Sequence, residues 1–236
     1  MIRRMTLCPV LAGLLIFCPP VMAQWSGSVG VGVINASGNS RSSSANALIE
    51  LEKASATWTH QFQSELYRAR SDGDEEADRF ALAYKARRAI GDSWYGWGSL
   101  RAEQDQFANI DRRFAAVLGA GRHLLTGPVH SLDAEAGLGW RKTVLLGEAA
   151  DSTAAIGTLG LSYEGVLSET VRITQKLSAE SGKDNTLLLS TSGLRVVISD
   201  RLSLVLKHAI RRNSDILGDL GKKTDSLSTV TVAYEF

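Results

Sequence analysis

Ser192 and His208 are the residues whose types and spacing could support nucleophilic catalysis. If a turn at residues 199–201 joins two antiparallel strands, residue 192 lies opposite residue 208 on the neighbouring strand. A histidine can take the proton of a serine hydroxyl when a third group orients its ring. However, the segment TSGLRV around Ser192 resembles no nucleophile motif, and the asparagine–histidine–serine segment of the phospholipase family is missing. We therefore interpret His208 as an interfacial imidazole, and lipid hydrolysis is the less favoured hypothesis.

The remaining chemistry-bearing residues do not form a metal or phosphate motif. The four histidines form no i, i+2 or i, i+4 pair with another zinc-ligand type, and we interpret them as rim or interfacial side chains: His60, His123, His130 and His208. No helix pattern follows the glycine-rich segments GSVGVGV and GLGW, so neither predicts a phosphate cradle. These glycines are instead expected to relieve crowding in a curved sheet. The sequence predicts no cofactor, no metal and no enzymatic activity.

The first 23 residues have the layout of a secretory signal peptide. Arg3 and Arg4 precede an apolar run over residues 7–17, and the small residue Ala23 precedes the expected cleavage site before Gln24. The run is shorter than the ~20 residues that a membrane-spanning helix needs. Cleavage would remove two arginines, changing the net charge from +1 to −1, and would also remove both cysteines. We predict a signal peptide at residues 1–23 and a single exported domain at residues 24–236 without disulfides.

Beyond residue 24 the hydrophobic pattern has a period of two, which is typical of strands with one apolar and one polar face. Seven strands are clear, at residues 42–53, 78–89, 94–105, 130–143, 154–165, 170–179 and 202–212, and another ends at Phe236. Four less regular strands lie near residues 25–34, 57–69, 111–123 and 186–198. Short connections alternate with longer polar ones, as in barrels of the bacterial outer membrane.

The pattern predicts an all-β fold, a single antiparallel transmembrane β-barrel of about 12 strands. A soluble sandwich or lipocalin-like barrel would turn the apolar face inward, but its many alanines and glycines would fill a core poorly. Tyr234 and Phe236 end the chain in alternation, as outer-membrane barrels do, and we interpret them as the signal that the barrel-assembly machinery reads. The other expected partners are outer-membrane lipids and lipopolysaccharide. No nucleic-acid partner is expected, and the sequence leaves the oligomeric state open.

The polar faces would line the lumen with both signs of charge. The inward-facing candidates are Glu50, Glu52, Arg79, Lys85, Arg87, Arg101, Glu103, Asp105, Asp133, Glu135, Arg141, Arg172, Lys176, Lys207 and Arg211. One interpretation is a salt-bridged network that stiffens the wall, with Glu50 and Glu103 among the paired carboxylates. The other is a narrow polar path in which Arg79, Lys85 and Arg87 favour small anions.

The longer loops are acidic. Their carboxylates are either solvated or gather divalent cations or lipopolysaccharide counter-ions: residues 71–78, Glu148, Asp151, Asp184, Asp215 and Asp219.

Three segments in order, WSGSVGVGVINASGNS, WGSLRAEQDQF and KKTDSLSTVTVAYEF, resemble the domain-of-unknown-function 481 family, also called the salt-induced outer-membrane protein family. The resemblance covers nearly the whole exported domain. It implies an outer-membrane β-barrel of a Gram-negative bacterium and supplies no activity and no catalytic residues. We expect a non-enzymatic outer-membrane barrel, either structural or a narrow porin for small polar solutes. The alternatives are a lipid-modifying enzyme of the outer leaflet and a barrel that binds a ligand or partner through its acidic loops.

Overall fold

The computed structural model describes residues 25–37, 41–71, 74–106, 110–146, 151–183, 185–214 and 223–236. The predicted signal peptide at residues 1–23 lies outside these ranges. The twelve strands are β1 (Ser26–Ser37), β2 (Arg41–Ala54), β3 (Trp58–Ser71), β4 (Asp74–Ile90), β5 (Trp94–Asp105), β6 (Ile110–Thr126), β7 (His130–Leu145), β8 (Ser152–Ser168), β9 (Val171–Gly182), β10 (Thr186–Ser199), β11 (Leu202–Asn213) and β12 (Thr224–Glu235).

Each strand pairs antiparallel with its sequence neighbours, and β12 pairs with β1, so the sheet closes into a barrel. The predicted fold and strand number are confirmed. The strands contain 12 to 17 residues, and several extend beyond the predicted bounds, as β4 and β8 do. A tilted crossing of the bilayer needs only ~9–11 residues. The longest strands, β4, β6 and β8, therefore exceed the length that a crossing requires.

The outer surface of the barrel is apolar. Leu118 and Leu138 lie opposite each other on β6 and β7, and their exposed fractions are 75% and 76%. Residues on the opposite face of the same strands, such as Arg113 and Arg141, are buried. This inversion of the usual burial pattern suits a wall that meets lipid outside and encloses polar groups. Among the described residues, no helix is long and apolar enough to cross a membrane.

The barrel closes at a seam between the two ends of the described chain. The backbone amide of Gly27 donates to the Phe236 carbonyl at 2.9 Å, and the Phe236 amide donates to the Gly27 carbonyl at 3.0 Å. Further along, the Asn46 side chain of β2 donates to the Thr231 hydroxyl of β12 at 2.6 Å. This bond passes over β1 next to Gly32, where a Cβ would collide with Asn46 Oδ1. The seam is therefore held by the last residue and by a glycine-dependent bridge.

Aromatic and basic side chains share the outer face at the short-turn rim. The guanidinium of Arg88 lies 5.8 Å from the centre of the Trp58 ring, and that of Arg122 lies 5.5 Å from the Trp94 ring. Tryptophan at this height is typical of the aromatic girdle at a membrane–water interface. The pairs fix which part of the wall meets the lipid headgroups.

Candidate functional site in the lumen

Glu103 is the centre of a buried ionic cluster near the long-loop end of the lumen. Its side chain on β5 is 1% exposed, and its carboxylate contacts Arg101 at 3.1 Å, Arg113 at 2.9 Å and Arg211 at 2.6 Å. Arg211 belongs to β11, which is six strands from β5 in a ring of twelve. The two strands thus stand on opposite walls, and the Arg211–Glu103 pair spans the lumen.

Further ion pairs surround this cluster. Asp105 lies 3.9 Å from Arg79 and 3.5 Å from Arg211. Arg141, whose side chain is 4% exposed, contacts Glu180 at 2.6 Å and donates to the backbone carbonyl of Asn185. Guanidinium groups can bridge several carboxylates because their five donors point in fixed directions. Together with the Glu103 cluster, these pairs lie at one level of the lumen. We call this set of residues the upper layer: Arg79, Arg101, Glu103, Asp105, Arg113, Arg141, Glu180 and Arg211.

A second set of ion pairs lies towards the short turns. Lys85 of β4 contacts Glu135 of β7 at 2.5 Å, and Arg87 contacts Asp133 at 3.3 Å. The Tyr95 hydroxyl donates to Glu135 at 3.0 Å. His123 is 2.7 Å from Asp133 on the inner face, near the short-turn rim. Its parity on β6 matches that of the inward-facing Arg113, because the two are ten residues apart.

Two more connections cross the lumen between non-adjacent strands. Lys207 of β11 pairs with Glu65 of β3, and Arg195 of β10 contacts Glu50 of β2 at 3.1 Å. Arg195 also contacts Glu235 at 2.6 Å, and Ser203 donates to the same carboxylate. In each of the two cross-lumen pairs, the joined strands are four positions apart in the ring. Ion pairs between non-adjacent strands therefore connect the walls of the lumen at several heights.

The structure places thirteen of the fifteen inward-facing candidates in ion pairs: Glu50, Arg79, Lys85, Arg87, Arg101, Glu103, Asp105, Asp133, Glu135, Arg141, Arg172, Lys207 and Arg211. Of the other two, Glu52 accepts a hydrogen bond from Gln61, and Lys176 lies opposite Ser162 and Thr191 in the sheet. The residues expected to form a basic arc are each paired with a carboxylate. Their partners are Asp105, Glu135 and Asp133, whereas Glu50 and Glu103 pair with other arginines.

Sequence reasoning missed further members of the network, among them Glu65, Arg113, Glu180 and Arg195. Three of them lie on β3, β6 and β10, the strands whose alternation was too irregular to assign faces. Glu180 lies one residue beyond the predicted end of β9. A residue at an even spacing from a known inward-facing residue of the same strand also faces inward, and this spacing was the available signal. In β6 and β10 the signal is obscured because apolar residues lie on both faces.

An apolar band interrupts the charged interior. Its buried members are Tyr95, Trp97, Ala115, Val117 and Ile156. The Trp97 ring lies against Gly119 and Gly137, where an added Cβ would be 2.7 Å and 2.9 Å from the ring. The glycine of GLGW at position 137 thus makes room for an inward aromatic side chain, a more specific role than relieving curvature. The Lys85 ammonium also contacts this ring, 4.5 Å from the centre of the Trp97 indole.

A cavity of about 270 Å³ lies beside this band, along the inner wall from β4 to β10. Its lining includes Trp97, Lys85, Glu135, Thr158 and Glu180. The upper layer lies at one end of the cavity, since Arg101 and Glu180 belong to both. The lumen therefore contains a partly open space of mixed polar and apolar lining although ion pairs span it.

The lipid-facing serine and histidine do not form a catalytic pair. Ser192 is opposite His208 in the register, as expected. However, His208 Nδ1 bonds the Ser228 hydroxyl at 2.8 Å, and Ser192 donates to Gln175. The surrounding backbone amides belong to the β10–β11–β12 ladder, so this surface offers no free pair of donors for an oxyanion. The geometry does not favour the hydrolase hypothesis.

Over the ranges that the structure describes, no three histidine, cysteine or acidic side chains come together in a group that could hold a metal ion. Of the acidic loop residues, Asp151 pairs with Lys142 at 2.6 Å and Asp78 with Arg68 at 3.2 Å. The side chains at 71–77 lie outside the described part of the chain, as do Glu148, Asp184, Asp215 and Asp219.

Comparisons with known proteins agree with this architecture. The family model described as "Protein of unknown function, DUF481" matches residues 29–236. The protein YdiY of Escherichia coli (strain K12) is 26% identical over 210 residues, which cover 89% of this chain and 82% of YdiY.

Two solved structures share the fold. An outer-membrane channel from Pseudomonas putida F1 has a TM-score of 0.54 and 11% identity over 89% of this chain and 96% of its own. The KdgM porin has a TM-score of 0.51 and 8% identity over 89% of this chain and 99% of its own. At these identities the likeness concerns the barrel fold alone.

Proposed function

The chain belongs to the DUF481 family, and we propose that it is a non-enzymatic outer-membrane barrel whose lumen is closed by its own ionic network. The observation that carries the proposal is the Arg211–Glu103 pair, which joins opposite walls at 2.6 Å. The function that follows is structural: a rigid barrel in the envelope that does not conduct solutes.

Passage through the upper layer would require the buried charges to separate. Glu103, Arg113 and Arg211 have side chains exposed by 1%, 2% and 7%. Separating a buried ion pair without a replacement partner costs ~3–5 kcal/mol, and here one carboxylate serves three arginines. In the proposed closed state, an ion that crosses this layer has to break several of these pairs together. The same pairs brace opposite walls, which stiffens the barrel.

A narrow porin is the second candidate, and the interior cavity is the observation that favours it. If the ion pairs of the upper layer rearranged, the space beside Trp97 could become part of a continuous path for small polar solutes. Porins and channels are also the names given to the two solved barrels that share this fold. In this case the upper layer is a gate and not a permanent wall.

The proposed location is the outer membrane, with outer-membrane lipids and lipopolysaccharide around the wall. The exposed leucines of β6 and β7 and the aromatic rim support this placement. Delivery would depend on cleavage of the predicted signal peptide and on the barrel-assembly machinery. Tyr234 and Phe236 are the proposed signal, and both face outward at the closing seam.

Solute flux into proteoliposomes tests the proposal. Vesicles with the wild-type protein should take up neutral sugars and small ions no faster than empty vesicles. A double variant, Glu103→Ser with Arg211→Ser, removes the cross-lumen pair and should increase uptake while the barrel stays folded. Rapid uptake through the wild type would instead support the narrow porin.

A further inference from the structure

We propose that the interior cavity beside Trp97 binds a small neutral polyhydroxylated solute of about the size of one sugar ring. Its volume of about 270 Å³ corresponds to roughly nine water molecules at ~30 Å³ each. The inference concerns a binding site and holds whether or not the lumen conducts.

The lining offers hydrogen-bonding groups that the protein itself does not use. Trp97 is only 9% exposed, and its indole Nε1–H has no acceptor among the described residues. The buried Thr158 hydroxyl, which lies next to the Trp97 ring over Gly137, also lacks a described partner. A buried polar group without a partner costs ~1–3 kcal/mol. A ligand with several hydroxyl groups could accept from the indole and exchange hydrogen bonds with Thr158, Ser99 and Ser178.

The charged side chains that line the cavity are already paired, which favours a neutral ligand. Lys85 is paired with Glu135, Arg101 with Glu103, and Glu180 with Arg141. A ligand with a net charge would have to break one of these pairs or bind without a counter-charge from the lining. Ligand hydroxyls can instead donate to Glu135 and Glu180, since a carboxylate that already binds a cation has further lone pairs.

The remaining lining is apolar and limits which polar solutes fit. Val117, Leu187 and Leu189 contribute methyl groups, and Ala115 and the Trp97 ring continue this surface. Binding sites for small molecules commonly combine such a wall with a few oriented polar groups. A sugar ring matches this arrangement because it carries C–H groups on its faces and hydroxyl groups around its edge.

Tryptophan fluorescence of the full-length barrel in detergent tests the inference. A variant with Trp25, Trp58, Trp94 and Trp140 replaced by Phe reports on Trp97 alone. The probes are glucose, glucuronate and glucosamine. We expect a saturable change of emission with glucose and at least tenfold weaker binding of the two charged sugars. Equilibrium dialysis of labelled glucose with the otherwise unmodified protein gives a second measurement that does not depend on those four substitutions.

Two glycines of β8 provide a matched pair of variants. Gly160 borders the cavity and its added Cβ would have no neighbour closer than 3.8 Å, so Gly160→Leu should fill the space and reduce glucose binding at least tenfold. Gly157 is three residues away with the opposite parity, and its Cβ would lie 3.9 Å from Leu138 on the outer face. Gly157→Leu should therefore bind glucose like the wild type.

The inference is overturned if glucose gives no saturable signal in either assay, if glucuronate or glucosamine binds as well as glucose, or if Gly160→Leu binds as tightly as Gly157→Leu. A conducting wild type that still binds glucose would contradict the closed lumen and leave this site in place. A wild type that neither conducts nor binds glucose would support the closed lumen and overturn this site.

Discussion

Replacing Glu103 with glutamine should destabilise the barrel strongly, because it removes the only carboxylate that joins Arg101, Arg113 and Arg211 in the described upper layer. At an effective dielectric constant of ~20, each pair at ~4 Å contributes ~4 kcal/mol. The sum of three, ~12 kcal/mol, is an upper limit, since water can enter and the arginines can turn away. Measured losses for one missing partner of a buried pair are ~3–5 kcal/mol, and we expect Glu103→Gln to lie in that range.

Urea unfolding in lipid vesicles, followed by tryptophan fluorescence and by mobility of unboiled samples on gels, measures this loss. Glu52→Gln is the matched control: Glu52 lies on the same face, is exposed, and its carboxylate accepts from Gln61 at 2.8 Å. Its free energy of unfolding should change by less than about 0.5 kcal/mol. Adding Arg113→Gln to Glu103→Gln should recover part of the loss, because Glu103 is the carboxylate that Arg113 contacts among the described residues, whereas Arg211 also contacts Asp105. The reasoning is refuted if Glu103→Gln and Glu52→Gln unfold at the same urea concentration.

Three further predictions concern the seam, the ion pairs near the short turns and the glycine packed against Trp97. Deleting Phe236 or replacing it with Asp should lower the yield of protein in the outer membrane, measured by fractionation, and an unchanged yield would argue against its role in assembly. Lys85→Glu should lower the unfolding free energy by placing two carboxylates together, and adding Glu135→Lys should restore part of it, since Glu135 also contacts Arg87 and accepts from Tyr95; a double variant no more stable than Lys85→Glu would argue against the contact. Gly119→Ala should destabilise the barrel by ~1–3 kcal/mol because its Cβ would lie 2.2 Å from the Ala136 carbonyl oxygen and 2.7 Å from the Trp97 ring, whereas Gly96→Ala, with its nearest neighbour at 3.5 Å, should be nearly neutral in the same urea titration. Equal effects of the two alanines would contradict the close packing described around Gly119.

The sequence pattern predicts the fold well because the lipid-facing side of each strand must be apolar. The bounds predicted for β5, residues 94–105, agree with Trp94–Asp105, and the predicted closing pair of first and last strands is present. The predicted β6 was uncertain because Val117 faces inward while Leu118 faces lipid. The alternation rule assumes a polar interior, and this lumen contains an apolar band.

The pairing inside the lumen could not be predicted from the pattern. Alternation tells which residues face inward, but Arg211 and Glu103 are 108 residues apart and meet only because six strands separate them in the closed ring. The height of each side chain depends on register and on bulges such as the one between Glu103 and Asp105. For this reason the sequence lists charges that line a lumen without showing whether they form an open basic arc or a closed network.

Planar-bilayer recording of the wild-type barrel tests the closed lumen most directly. If the ionic network closes the lumen, purified protein inserted into the bilayer will show no stable conductance steps. Boiled and unboiled samples of the same preparation should differ in gel mobility, as a folded barrel does. An absence of conductance then cannot be due to unfolded protein. Stable conductance steps in the wild type, with ion preference shifting from anions to cations when Arg79, Lys85 and Arg87 are replaced by Glu, would contradict the closed lumen.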